Sequence, residues 1–266
     1  MTAAGRYVRA VPTLLRVGFA EMVAYRAEMV VWILTATLPL VMLALWDAAA
    51  IHGPLRGFGQ TELARYFTTT LVIRQLTGAW IVWDLNYHVR TGSLSPLLLR
   101  PVSPLFFNLF ETVAALPFRV IVLTPILAAL VWWRPDIAFW PGLGQAALGA
   151  LSTLLAFLIA WLVQAMFGML AFWFEQSLGF FNLWFVATAI LGGYLIPLPL
   201  LPAGVESAAR WLPFQATLAA PIEILVGTAE HPARILGLQL CWLAVAMAGA
   251  WLLWRRGLAR YGAVGA

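Results

Sequence analysis

"RTGSLSPLLLRPVSP", residues 90–104, lies between two long apolar stretches. Gly92 permits a bend, Ser95 can cap a helix, and Pro96 suits a first helical turn. Pro101 pushes Arg100 out of helical geometry, so the spacing predicts a helix of little more than one turn. Leu94, Leu97, Leu98 and Leu99 would crowd this short connection. Left in water, each would forfeit about 1.5–3 kcal/mol relative to full burial. Either the lipid headgroup layer or a groove on a partner protein must cover them. Arg90 and Arg100 suit anionic lipid in the first case and an acidic rim in the second.

The flanks decide the fold class. The chain is 63% hydrophobic and 10% charged, against about 45–50% apolar and about 25% charged residues in soluble domains. No stretch is polar enough for a soluble domain, so 1–266 reads as a single, all-α integral membrane domain. A span needs about 20 apolar residues to cross about 30 Å of hydrocarbon. Six stretches qualify: 29–46, 64–83, 105–133, 144–173, 178–197 and 235–254. The third and fourth are long enough to tilt or project. Trp32, Trp46, Trp83, Trp132, Trp133, Trp140, Trp173, Trp251 and Trp254 mostly fall near the ends, as interfacial belts do.

Six spans (29–254) put both termini on one side. That side holds Arg6, Arg9, Arg16, Arg26, Arg90, Arg100, Arg255, Arg256 and Arg260, and the other holds Arg56, Arg65, Arg134, Arg210 and Arg234. The richer side is cytoplasmic, which places the 90–104 loop and the tail 255–266 there. Residues 1–28 carry no signal peptide, because Arg and Glu interrupt them throughout. Arg6, Arg9, Thr13 and Arg16 share one helical face, and Val8, Val11, Leu15, Phe19 and Met22 the opposite one. That pattern predicts an amphipathic helix in the headgroup region, the alternative being a frayed tail.

Several chemistries are excluded. All 16 basic residues are Arg, so the chain lacks the Lys of a phosphate-binding loop. If ATP drives the protein, another subunit binds the nucleotide and its Mg²⁺. Cys241 is the lone cysteine, and His52, His88 and His231 lie in loops on different sides, so neither a disulfide nor a shared metal site is expected. "GSLS" (92–95) lacks the strand and second Gly of a nucleophile elbow. The arginines are scattered singly around apolar stretches, which speaks for membrane topology and against nucleic acid.

Arg74, Glu111 and Arg119 fall inside spans, where each should face protein or water and find a partner. Arg74 and Glu111 lie nine and seven residues in from the ends near Trp83 and Pro104. Their depths then differ by about 3 Å, which allows an Arg–Glu clasp; lining of a translocation cavity is the other reading. Pro117, just before Arg119, can kink its helix. "GLGQAALGA" (142–150) permits close helix packing, and "FWFEQSLGFFNLWF" (172–185) reads as an aromatic belt. Segment 197–234, with Leu198, Leu200, Leu201, Val205, Trp211 and Leu212, is too apolar for free solvent. It predicts two short helices that dip into the outer leaflet and return, lining a cavity or outer gate.

Two segments carry a family resemblance. "WDLNYHVRTGSLSPLLLRPVSPL" (83–105) resembles the cytoplasmic loop of bacterial type-2 ABC exporter permeases, with its pattern Arg-x-Gly-x-Leu…Leu-Leu-Arg-Pro. "LGGYLIPLPLLPAGVESAARWLPFQATLAAPIEILVG" (191–227) is similar to that family's external segment between spans five and six. The resemblance implies a coupling helix, Gly92–Pro101, docked on an ATP-binding-cassette ATPase dimer that holds ATP and Mg²⁺. Leu94, Leu97, Leu98 and Leu99 would anchor it, with Arg90 and Arg100 at the rim. Glu175, in "FWFEQSLGFF" (172–181), would belong to a second contact. Pro197, Pro199, Pro202, Trp211 and Pro213 would shape an external gate. It further implies a second permease, identical or related, and residence in a bacterial inner membrane. The substrate is left open among amphipathic drugs, lipids and glycans. An intramembrane enzyme would need nucleophile, acid–base or metal groups converging at one depth, and none is visible; a non-transporting scaffold is the remaining rival.

Overall fold

A computed structural model describes residues 11–20 and 37–261. Among the described residues the chain is helical, apart from one isolated antiparallel bridge between Leu55 and Phe58. In chain order the helices are α1 (Val11–Ala20), α2 (Leu38–Ala49), α3 (Gln60–Thr77), α4 (Ile81–Arg90), α5 (Leu94–Leu98), α6 (Pro104–Ala114) and α7 (Leu116–Trp133). They continue with α8 (Leu143–Met169), α9 (Ser177–Leu191), α10 (Ala203–Ala209), α11 (Pro213–Thr217), α12 (Ala219–Val226) and α13 (Pro232–Arg260). Three apolar segments are long enough to cross a membrane: Pro104–Trp133, Leu143–Phe172 and Pro232–Arg260. At about 1.5 Å per residue each exceeds a hydrocarbon core of about 30 Å.

One expected span is broken and another is interrupted while remaining a single apolar segment, each for a local reason. Stretch 64–83 divides at Gly78, whose extended backbone (φ −66°, ψ 135°) ends α3 before α4 begins. Stretch 105–133 divides at Ala115. Pro117 has no N–H to give the carbonyl four residues back, so the ladder is interrupted there.

The long helix α8 is the hub, with α13, α4, α12 and α3 packed around it. Small residues set these distances. A Cβ on Gly168 would lie 3.1 Å from Leu85 Cβ and from the Val82 carbonyl, so α4 rests directly on α8. A Cβ on Gly149 would lie 2.2 Å from Leu225 Cδ2, so the close packing expected of 142–150 is found at Gly149, whereas Gly142 and Gly144 face open space. Helix α3 carries Thr, Gln and Arg yet is enclosed: Leu63, Ala64, Phe67, Thr70 and Leu71 are fully buried. Beyond its first turns, its polar residues Thr69, Thr70, Gln75 and Thr77 are buried in protein.

The two largest of four buried apolar clusters among the described residues are separated along α3 and α4. Tyr66, Phe67, Ile73, Leu218 and Ile222 belong to one cluster, and Leu85, Val89, Leu94, Trp161, Met169 and Phe172 to the other. Along α3 and α4 the stretch Arg74–Gly78 lies between the two. Gly18 of α1 is buried on α6, where a Cβ would lie 3.1 Å from both Ala114 Cβ and Glu111 Cα. Residues Arg6, Val8, Arg9 and Met22 of the expected amphipathic helix, and residues 29–36 of the expected first span, lie outside the described residues.

Candidate functional site

At one end, α4, α5 and the turn after α8 form a single surface. Gly92 adopts φ +76°, the left-handed conformation that reverses the chain after α4. The helix starts at Leu94 with Ser93 before it, two residues ahead of the expected Ser95 cap and Pro96 start. The Ser93 hydroxyl lies 2.8 Å from His88 Nδ1 and from the Thr91 hydroxyl, which pins the bend. The helix ends at Leu98, short of Pro101, as the proline requires.

The four leucines divide. Leu94 is fully buried inside this chain, against the cluster of Val89, Met169 and Phe172. Leu98 packs on the same cluster, and Leu97 lines a groove with Asp84, His88, Arg100 and Glu111. Leu99 is 88% exposed. The expectation of four equivalent anchors is thus corrected: Leu94 holds α5 to its own chain, and Leu99 projects.

The second turn is tied to the first. Arg90 donates from its guanidinium to the backbone carbonyl of Glu175, and Asn86 donates to the Ser177 hydroxyl at 2.6 Å. The Glu175 side chain stays exposed. Ser95 donates to the Tyr261 hydroxyl at 3.3 Å, and the Tyr261 ring meets Phe172 edge-on at 5.8 Å. The end of α13 therefore joins the same surface.

The middle layer holds the buried polar groups. Arg119, 5% exposed, donates to the carbonyls of Gln75 at 3.1 Å and Gly78 at 2.6 Å. These carbonyls are orphaned where α3 stops, so the cation caps a helix C-terminus. Arg74 lies over the rings of Phe185 at 5.5 Å and Tyr194 at 5.7 Å. The ion pairs among the described residues do not include Arg74 with Glu111. Arg74 lines a cavity with residues of α9, while Glu111 faces the groove beside α5. The expected clasp gives way to a cavity of about 60 Å³ lined by Arg74, Thr77, Gln164, Trp184, Thr188 and Thr217, among others.

At the opposite end, the segment after α9 folds back onto the bundle. Pro197 and Pro202 precede short helical turns and Pro213 opens α11, as the fixed φ of proline favours. Ala219, Ala220 and Ile222 of α12 are fully buried. Arg56 donates to the carbonyls of Pro199 and Leu201 at 3.2 and 2.6 Å, and Tyr66 to that of Gly193 at 2.8 Å. Trp211 is 60% exposed; its carbonyl accepts from Trp242 Nε1 at 3.1 Å. Arg210 pairs with Glu206 at 2.8 Å and with buried Glu223 at 3.2 Å. Nearby, Arg134 bridges Asp47 at 2.9 Å and Asp136 at 3.0 Å. Arg56, Arg65, Arg134, Arg210 and Arg234, grouped together by span counting, thus do gather at this end: Arg65 also donates to the Asp136 carbonyl and Arg234 covers the Trp211 ring.

This arrangement, a surface made of two turns at one end and a folded-back helical segment at the other, agrees with the comparison of the chain with protein families. The model described as ABC-2 family transporter protein matches residues 32–265. The chain belongs to the ABC-2 transporter family. It is accordingly the membrane permease subunit of an ABC transporter, an integral membrane protein. Comparison with curated proteins and with solved structures gives no match.

Sequence reasoning missed several residues of this ABC-2 permease. Gln239, fully buried, donates to the carbonyls of Ser152 and Ala216 and accepts from the Ser152 hydroxyl at 2.8 Å. Gln145 donates to the carbonyls of Ile224 and Leu225, both at 2.9 Å, closing the end of α12. Glu223 and Gln164 also escaped notice. Each is a single polar residue in an apolar run, and that is the signal that finds them.

Proposed function

We propose that this ABC-2 permease serves an exporter in which ATP-binding-cassette subunits, carrying ATP and Mg²⁺, dock on the surface made by α5 and the Glu175 turn. The observation that carries the reading is the Arg90–Glu175 bond. It welds two separate turns into one contact platform from which Leu99 projects. Two permease chains, identical or related, enclose the pathway between them. The six apolar stretches cross a bacterial inner membrane, with the coupling surface and both termini in the cytoplasm.

The mechanism is alternating access. Closure of the ATPase pair on nucleotide displaces α5; α4 moves with it and, lying directly on α8 at Gly168, transmits the displacement to the bundle hub. The Gly78 break, capped by Arg119, lets α4 move relative to α3. At the far end the segment from Pro197 to Val226 acts as the outer gate, its Arg210–Glu223 pair holding the closed form. ATP drives the cycle by binding one conformation better than the other. The cargo is an amphiphile such as a lipid, glycan carrier or drug, moved out of the cytoplasm.

The test is ATP hydrolysis and transport by the chain co-purified with its ATPase subunits in proteoliposomes. Leu99→Asp should lower both about tenfold or more, since it places a charge where an apolar contact is needed. Undiminished hydrolysis and transport would contradict the docking assignment.

A further inference from the structure

We infer that the cavity at Arg74 is a recognition site for the acidic headgroup of an amphiphile, a phosphate or carboxylate carried on an apolar body. The cavity lies between α3, α8 and α9, and Thr217 and Leu218 of the folded-back segment contribute to its lining. Among the described residues, no carboxylate lies within ion-pair distance of Arg74; its guanidinium rests against the Phe185 and Tyr194 rings. The Tyr194 hydroxyl also serves one of its N–H groups, but the ring faces attract the cation without accepting the remaining in-plane N–H groups as an oxyanion does. Arg119 provides the contrast, since its N–H groups serve backbone carbonyls.

A second observation points to a ligand. Gln164 lines the same cavity, is 8% exposed, and its Oε1 finds no hydrogen-bond partner. Buried polar atoms are nearly always satisfied. The hydroxyls of Thr77, Thr188 and Thr217 donate to the carbonyls of Ile73, Trp184 and Phe214, so toward the cavity they offer lone pairs only. The wall therefore presents one cationic donor group and several acceptors. An oxyanion beside a hydroxyl or ammonium donor complements that set, and Trp184 and Phe185 take the start of the apolar body. This names the substrate class of the transport reading and rests on it for direction, but binding itself requires no ATPase.

The full chain, purified in dodecyl maltoside, is titrated with dodecyl phosphate, dodecylammonium and dodecanol while thermal unfolding is followed. Dodecyl phosphate should raise Tm saturably, and the other two should not. Arg74→Gln should weaken the response at least about tenfold, the usual scale for loss of a charge-assisted contact. Gln164→Leu, which removes the orphaned acceptor without removing charge, should weaken it less while keeping the ligand-free Tm. Competition by phosphatidic acid would assign the site to a membrane lipid; its absence would assign it to a single-chain amphiphile. An equal shift with dodecylammonium, or an undiminished phosphate response in Arg74→Gln, would overturn the proposal. Should Arg74→Gln not fold, an unchanged affinity in Gln164→Leu overturns it equally. None of these outcomes depends on ATP hydrolysis, so a failure here leaves the docking assignment standing.

Discussion

Arg90 and Glu175 are joined through the backbone of the second residue and not through its side chain. The carbonyl is present whatever residue stands at 175. Glu175→Ala should therefore preserve the platform, whereas Arg90→Gln should lower coupled ATP hydrolysis several-fold. The bond is exposed, so the change in stability should be small, about 1 kcal/mol or less. Hydrolysis measured beside thermal unfolding separates the two effects.

Leu94 and Leu99 should fail differently. Leu94→Ala opens a hole in a fully buried site and should cost about 2–5 kcal/mol of stability, visible as lost folded protein. Leu99→Ala should leave stability within about 0.5 kcal/mol and weaken ATPase docking instead. Unfolding curves and co-purification yields read the two outcomes independently.

Arg119 and Arg74 should differ in the same way. Arg119→Ala removes the side-chain donor that serves the Gln75 and Gly78 carbonyls, and a carbonyl left unsatisfied costs about 1–3 kcal/mol. Folded yield should fall, and no acidic amphiphile should restore it selectively.

The Arg134 contact sets an acid limit. Arg134 and the Thr61 hydroxyl hold the Asp136 carboxyl down to about 2. A lowered carboxylate contributes stability above its unfolded value of about 4 and loses it as pH falls through the folded value. Tm should be flat from neutral pH to about 5 and drop between about 4 and 2. In Asp136→Asn part of that drop should vanish.

The readable parts of the sequence were those fixed by local chemistry. Gly92 and Pro101 bound α5 because a left-handed turn and a missing N–H act within a few residues of themselves. The arginine grouping was legible because span counting needs only hydropathy. The sharing-out of Leu94, Leu97, Leu98 and Leu99 was not, because it depends on where Phe172 and Tyr261, far away in the chain, come to rest. The Arg74–Glu111 pairing failed for a related reason: depth was legible, but rotation about the helix was not. Arg74 faces the cavity beside α9 while Glu111 faces the groove beside α5, and Arg119 took the carbonyls that the break released. Glu223 and Gln239 went unread because a lone polar residue in an apolar run reveals burial only after its partner is known.

The central claim is that Leu99 touches an ATP-binding subunit. A photo-crosslinking amino acid at position 99, activated in membranes from cells that also express the transporter's ATPase, tests it directly. An adduct whose peptides include a G-x-x-x-x-G-K-[ST] loop is the predicted result. An adduct with lipid alone would contradict the account.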